Sequence, residues 1–234
     1  TTVEKEPLIP IGHEIACDQF RLPIESPKKA FKISGPKLTV STNGDNLSAS
    51  SSKVNFMFNK KTGIVTSYKV DGTEYFSEGF GIQPNFWRAP IDNDCGSLMP
   101  MRFTHWRSAS MYLSHKYPNG SHYPGLYAPE IEVHEDCAEV SYRYVMPTTP
   151  ASECRLTYRV FGDGSIQTTL TYDPVKELGD MPEFGVILKM DADYDQVRFY
   201  GYGPNENYVD RREGARLGIY KTTTRENMSK YLVP

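Results

Sequence analysis

The sequence has few cysteines and no long apolar run, and each shortage excludes a class of protein. Its 234 residues include four cysteines, none in a Cys-x-x-Cys pair, so a zinc ribbon is not expected. No apolar stretch approaches the length needed to cross a membrane. The net charge is −3 at pH 7, and the two signs are mixed along the chain. We therefore expect neither a membrane nor a nucleic acid as a partner.

The chain also lacks an initiator methionine, a signal peptide and a sustained helical period. The first two absences favour a processed or excised piece of a longer protein. The cysteines do not settle the compartment, which stays open between cytoplasm and periplasm. A chain of this length does not need disulfides, so we expect free and mostly buried thiols at its four cysteines, which are Cys17, Cys95, Cys137 and Cys154.

Aromatic residues and short alternating segments predict an all-β fold. Aromatics make up 12% of the chain and suit strands. Val54, Phe56 and Phe58 alternate with polar residues, which is the period of a strand. Asn43 to Asn46 is a hairpin turn signal. Many short strands at this spacing predict a large antiparallel sandwich of two sheets.

Three local predictions accompany this fold. His13 to Leu22 is predicted to form one strand, and the segment from Phe103 to Ala109 one short helix. Residues 1–35 are interpreted as the tail of a preceding domain with its linker. Residues 36–234 are then the sandwich domain, truncated at its C-terminus.

The densest group of functional side chains lies between Phe86 and Gly96. Arg88 offers a planar fork of donors, and Asp92 and Asp94 are matching acceptors, with Asn93 between them. Three interpretations stay open: recognition of sugar hydroxyls, a hard-cation site, or an internal salt-bridge network that fixes a loop. A full set of oxygen ligands for calcium is not visible, so no metal site is predicted.

Two further groups contain candidate residues. Trp106 either stacks on a sugar face or packs in the core. The segment from Gly201 to Arg211 is rich in glycine and carries a second polar cluster, which we interpret as a structural motif rather than a catalytic pair. Its members are Glu206, Asn207, Asp210 and Arg211.

At these stretches the chain resembles the C-terminal small-chain domain of the β-galactosidases of glycoside hydrolase family two. Phe86 to Gly96 resembles that family's R-A-P-x-D-N-D-x-G signature. Gly203 to Arg211 resembles its G-P-x-E-N-Y-x-D-R signature. Gly12 to Leu22 is similar to the end of the preceding immunoglobulin-like domain, and Phe58 to Gly63 fits the first strands of the small-chain domain.

The resemblance implies a galactose-mutarotase-like supersandwich in an enzyme that hydrolyses terminal β-D-galactosides with retention. It places the catalytic glutamates on a (β/α)₈ barrel domain, and no alternating βα pattern occurs here. The chain alone is then inactive, without catalytic residues, and helps to shape the barrel's active-site cleft. The substrate-binding candidates are Arg88, Asp92, Asn93, Asp94 and Trp106.

The resemblance also implies partners and cofactors. The partners would be the barrel domain, a galactoside and further subunits of a homo-oligomer. The Mg and Na that the family often uses would be bound in other domains, so no cofactor is expected in this chain. The alternatives are a stand-alone carbohydrate-binding module and an aldose-epimerase-like enzyme, although no His/Glu acid–base pair is apparent for the latter.

Overall fold

A computed structural model describes residues 1–4, 7–25, 35–113, 124–205, 207 and 212–229. The chain divides into two compact units. The larger, Phe31–Asp191, is called the sandwich unit here, and the smaller joins Thr1–Ala30 to Ala192–Pro234 and is called the hairpin unit. The predicted origin of residues 1–35 in an immunoglobulin-like domain stays a prediction.

Most of the described elements are strands. Short 3₁₀ turns lie at Ser77–Gly79, Lys176–Leu178 and Arg212–Gly214. The strands and helices follow in the order β1 (Thr39–Asn43), β2 (Asn46–Ser50), β3 (Val54–Asn59), β4 (Ile64–Val70), β5 (Thr73–Glu74), β6 (Gln83–Asn85), α1 (Asp92–Gly96), α2 (Met99–Arg102), α3 (Thr104–Tyr112), β7 (Glu130–Val133), β8 (Cys137–Met146), β9 (Ser152–Phe161), β10 (Ile166–Tyr172), β11 (Gly185–Ile187), β12 (Gln196–Gly203), β13 (Arg216–Thr223) and α4 (Thr224–Ser229).

The sandwich unit contains two antiparallel meanders. One sheet has the order β1-β2-β3-β4-β5 and the other the order β10-β9-β8-β7, while β6 pairs with β11 in a separate two-stranded sheet. The predicted turn from Asn43 to Asn46 is confirmed, because these two residues face each other across the β1–β2 hairpin. The all-β class and the antiparallel sandwich are therefore confirmed.

The core lies between the inner faces of these two sheets. Val54, Phe56 and Phe58 of β3 are buried at alternate positions, as the sequence pattern predicted. Phe58 meets Tyr158 of β9 with ring centroids 5.5 Å apart. The Tyr158 hydroxyl donates a hydrogen bond to the carbonyl of Ile82 at 2.6 Å. A fully buried tyrosine thus satisfies its polar end within the core.

Between β6 and β7, the described residues form three helices instead of the one predicted. α3 confirms the prediction for Phe103 to Ala109, but α1 and α2 were missed. Asp92 and Asp94 lie in the first turn of α1, where acidic side chains favour the helix dipole, and Pro100 lies in the first turn of α2. No helix within the described part of the chain is long and apolar enough to cross a membrane.

The hairpin unit contains β12, β13 and α4. β12 and β13 pair in register from Gln196 opposite Thr223 to Gly203 opposite Arg216. The strand predicted for His13 to Leu22 is wrong, because this segment is extended and exposed and makes no ladder with any described strand. Its apolar side chains find no face to pack on: Phe20 is 80% exposed. The segment contacts β13 through side chains instead.

The four cysteines are free, as predicted, but only two are buried. Cys137 and Cys154 lie on β8 and β9, whereas Cys17 and Cys95 are exposed.

Candidate functional site

The loop from Phe86 to Ile91 follows β6, and hydrogen bonds to its backbone anchor its first residues. The Phe86 N–H donates to the hydroxyl of Ser110 on α3 at 2.7 Å, and that hydroxyl donates to the Trp106 carbonyl at 3.0 Å. The side-chain amide of Asn85 donates to the Trp87 carbonyl at 2.8 Å. These contacts hold the chain in place immediately before Arg88.

Arg88 and Asp94 form a bidentate ion pair. One terminal guanidinium nitrogen of Arg88 donates to Oδ2 of Asp94, and the other donates to Oδ1 at 3.0 Å. The Arg88 Nε also donates to the carbonyl of Pro182 at 3.2 Å. The two side chains are 26% and 14% exposed. Arg88 therefore connects α1 to a loop that is 94 residues further along the chain.

The Asp94 carboxylate also stabilises the start of α1. It accepts the N–H of Ile91 at 2.9 Å, which leaves that helix-terminal donor satisfied. Hydrogen bonds from Arg88 hold the pKa of Asp94 below its usual value, despite the opposing effect of partial burial. Asp94 is thus an ionised acceptor whose lone pairs are largely used within the loop.

Asp92 and Asn93 differ from Asp94 because their side chains are exposed. They occupy the first turn of α1, next to the ion pair, so their backbone is fixed while their polar groups face solvent. An exposed carboxylate and amide on a fixed backbone can donate to and accept from a hydroxylated ligand. Arg88 and Asp94, in contrast, hold the loop.

Trp106 lies in the core of the sandwich unit, only 1% exposed. Its ring contacts Phe86, and it meets Tyr172 edge-on with centroids 5.6 Å apart. Its indole N–H has no hydrogen-bond partner among the described residues. Trp106 therefore packs against Phe86, where the Arg88 loop begins, and is not accessible at the protein surface.

His105 lies beside Trp106 and ties α3 to a second loop. Its Nε2 is 3.1 Å from the carbonyl of Leu178, and partial burial lowers its pKa. A neutral imidazole that donates to this carbonyl fits both observations.

The second predicted cluster is only partly described. Glu206, Asp210 and Arg211 lie outside the described residues. Asn207 belongs to the hairpin unit, where its side-chain amide donates to the carbonyl of Tyr202 at 3.2 Å. This contact links Asn207 to the end of β12, and the structural role of the cluster stays a prediction.

Sequence reasoning missed the residues that support the Arg88 loop. Asn85, Ser110 and Pro182 hold it, yet none carries a charge or belongs to a recognisable motif. No sequence signal could have identified Pro182, because it contributes only a backbone carbonyl. Within the described ranges, no three His, Cys, Asp or Glu side chains form a group that could hold a metal ion.

Comparison with known proteins gives consistent matches along almost the whole chain. The family model for the beta galactosidase small chain matches residues 50–234. A β-galactosidase of Priestia megaterium is 32% identical over 223 residues, 95% of this chain and 20% of the relative. One of Clostridium acetobutylicum is 30% identical over 94% of this chain and 22% of the relative. One of Streptococcus thermophilus is 28% identical over 96% of this chain and 20% of the relative. The chain thus spans about a fifth of the length of these curated relatives.

Proposed function

This chain belongs to the beta galactosidase small chain family, and from that premise we propose that it is the small-chain portion of an enzyme that hydrolyses terminal β-D-galactosides with retention. The observation that carries the proposal is the family match over residues 50–234, together with relatives about five times longer that are β-galactosidases. Retaining hydrolysis needs two carboxyl groups about 5 Å apart across the scissile bond. We assign that pair to a barrel domain of the longer protein.

The candidate loop supports a non-catalytic role for this chain. Its best-placed carboxylate, Asp94, is paired with Arg88 and accepts a backbone N–H, so it has little capacity left for proton transfer. Asp92 and Asn93 are exposed beside it on a fixed backbone. We propose that the Arg88–Asp94 pair fixes the loop, and that Asp92 and Asn93 contribute to the wall of the active-site cleft of the barrel domain.

Activity measurements on two forms of the protein test the first part. The chain alone should not cleave o-nitrophenyl β-D-galactoside, whereas the longer enzyme that contains it should. In the longer enzyme, NMR should detect the β-anomer of galactose as the first product, because retention preserves the configuration. Turnover by the chain alone that is lost on mutation of one of its own acids would place the chemistry here.

Substitution of the exposed loop residues tests the cleft-shaping role. In the longer enzyme, Asp92→Asn and Asn93→Ala should change KM or kcat, and they should lower Tm less than Arg88→Ala does, because neither side chain is buried. Lys61→Ala is the matched control, since Lys61 is an exposed residue on the β3–β4 turn. Loop variants with the kinetics of the control would contradict the role.

A further inference from the structure

A polar cleft in the hairpin unit includes Asn207 of the second predicted cluster and shares no lining residue with the Arg88 loop. It has a volume of about 450 Å³, within the range of small-molecule pockets. Its walls come from the extended segment near Gln19, from the end of β12 at Tyr202, and from the turn that leads into β13. The side chains that matter are Asp18, Gln19, Tyr202, Asn207, Arg212 and Arg216.

The walls of this cleft are held by contacts within the hairpin unit. The Gln19 amide nitrogen donates to the Leu217 carbonyl at 2.8 Å, and the Leu217 N–H donates back to the Gln19 amide oxygen at 2.8 Å. Arg216 forms an ion pair with Glu14. These two contacts attach the N-terminal segment to β13, so the cleft is formed before any ligand arrives and binding need not order its walls.

Charges of both signs surround the cleft. Arg212 and Arg216 are matched by Asp18 and Glu213, and Glu14 adds a carboxylate beside Arg216. A phosphate or another anion would meet these carboxylates, and a cation would meet the guanidinium groups. Because a ligand of either charge would meet groups of its own sign, the mixed lining favours a neutral ligand.

The mixture of groups matches a polyhydroxylated ligand. Guanidinium and amide groups donate hydrogen bonds, carboxylates accept them, and a sugar hydroxyl does both. Tyr202 adds an aromatic ring that is 58% exposed, and such a ring can cover the C–H face of a pyranose. We propose that this cleft binds a neutral monosaccharide or disaccharide, with Tyr202 as the stacking platform and Asp18 and Arg212 as hydroxyl partners.

Two tyrosines on one strand allow a matched test. Tyr200 and Tyr202 lie two residues apart on the same face of β12, 71% and 58% exposed, but only Tyr202 lines the cleft. Both can be truncated without opening a core cavity. Binding of galactose, glucose and lactose to the whole chain would be followed by ¹H–¹⁵N NMR titration, with Gly214 and Ala215 as reporters in the wall.

The unsubstituted chain should bind at least one of these sugars saturably, with a dissociation constant on the order of 1–10 mM. Tyr202→Ala should weaken binding by about tenfold or more, whereas Tyr200→Ala should leave it unchanged. Arg212→Gln should also weaken sugar binding. In the absence of sugar, this variant should keep the amide signals of residues outside the cleft unchanged.

Three results would overturn the proposal. They are no saturable shift with any of the sugars, equal loss of binding in both tyrosine variants, and saturable shifts in the cleft with inorganic phosphate but not with sugar. The proposal does not depend on galactosidase activity, because the binding assay uses this chain alone. A longer enzyme that lacked such activity would leave the result of the titration unchanged.

Discussion

Replacing Arg88 by alanine should destabilise the sandwich unit by about 2 kcal/mol. The substitution removes both hydrogen bonds to Asp94 and the bond to the Pro182 carbonyl. A hydrogen bond to a charged group contributes roughly 1.5–3 kcal/mol, and breaking a fully buried ion pair costs about 3–5 kcal/mol. The side chains of Arg88 and Asp94 are 26% and 14% exposed, so water can partly solvate Asp94 after Arg88 is removed. The expected loss of stability is therefore near the lower end of these ranges.

Tryptophan fluorescence gives a direct assay of this effect. Both tryptophans, Trp87 and Trp106, lie within the sandwich unit, so their emission reports its unfolding. A loss of about 2 kcal/mol should lower Tm by roughly 4–8 °C for a domain of this size. Lys61→Ala is the control, because the Lys61–Asp45 pair is 54% and 50% exposed and such pairs contribute at most about 1 kcal/mol.

The pH dependence provides a second test of the same reasoning. The folded-state pKa of Asp94 is lowered by Arg88, so the stabilisation is present above the pKa of the unfolded chain and is lost as pH falls through the folded value. The difference in stability between Asp94→Asn and the unsubstituted chain should therefore shrink below about pH 4. A Tm for Arg88→Ala equal to that of Lys61→Ala, or a stability difference independent of pH, would refute the argument.

Three further predictions concern single side chains of the sandwich unit. Ser110→Ala should cost roughly 1–3 kcal/mol in urea unfolding, because the Phe86 N–H loses its acceptor, and Ser110→Thr should restore part of the loss. Tyr158→Phe should cost about 1–2 kcal/mol at constant packing, since it leaves a buried carbonyl unsatisfied, and an unchanged denaturation midpoint would exclude this bond as a contributor. Cys95 should react with Ellman's reagent in the folded chain, whereas Cys154, whose pKa burial raises to about 12, should react only after denaturation.

The strands of the sandwich unit could be predicted because one face of each strand is buried. Burial of β3 at Val54, Phe56 and Phe58 produces the alternation that the sequence displays. The same reasoning failed for His13 to Leu22, where apolar residues occur on an exposed segment. β13 was missed because its apolar residues Leu217 and Ile219 are exposed and a glycine lies between them.

The candidate loop could be predicted only as a set of residue types. Arg88 and Asp94 were identified by charge and spacing, and the structure shows that they pair with each other. The sequence cannot reveal that a serine on α3 and a carbonyl at Pro182 complete the arrangement. Those contacts depend on tertiary packing between segments distant in the chain.

The pairing of Gln19 with Leu217 has a consequence for aggregation. An outer strand exposes a row of free N–H and C=O groups that can recruit a strand from another molecule. The side-chain amide of Gln19 hydrogen-bonds both the N–H and the carbonyl of Leu217. Farther along the strand, the carboxylate of Glu226 on α4 accepts the outward N–H of Thr223 at 3.0 Å. Two positions along the outer edge of β13 are thereby blocked without an added strand, which discourages sheet growth through intermolecular pairing at this edge.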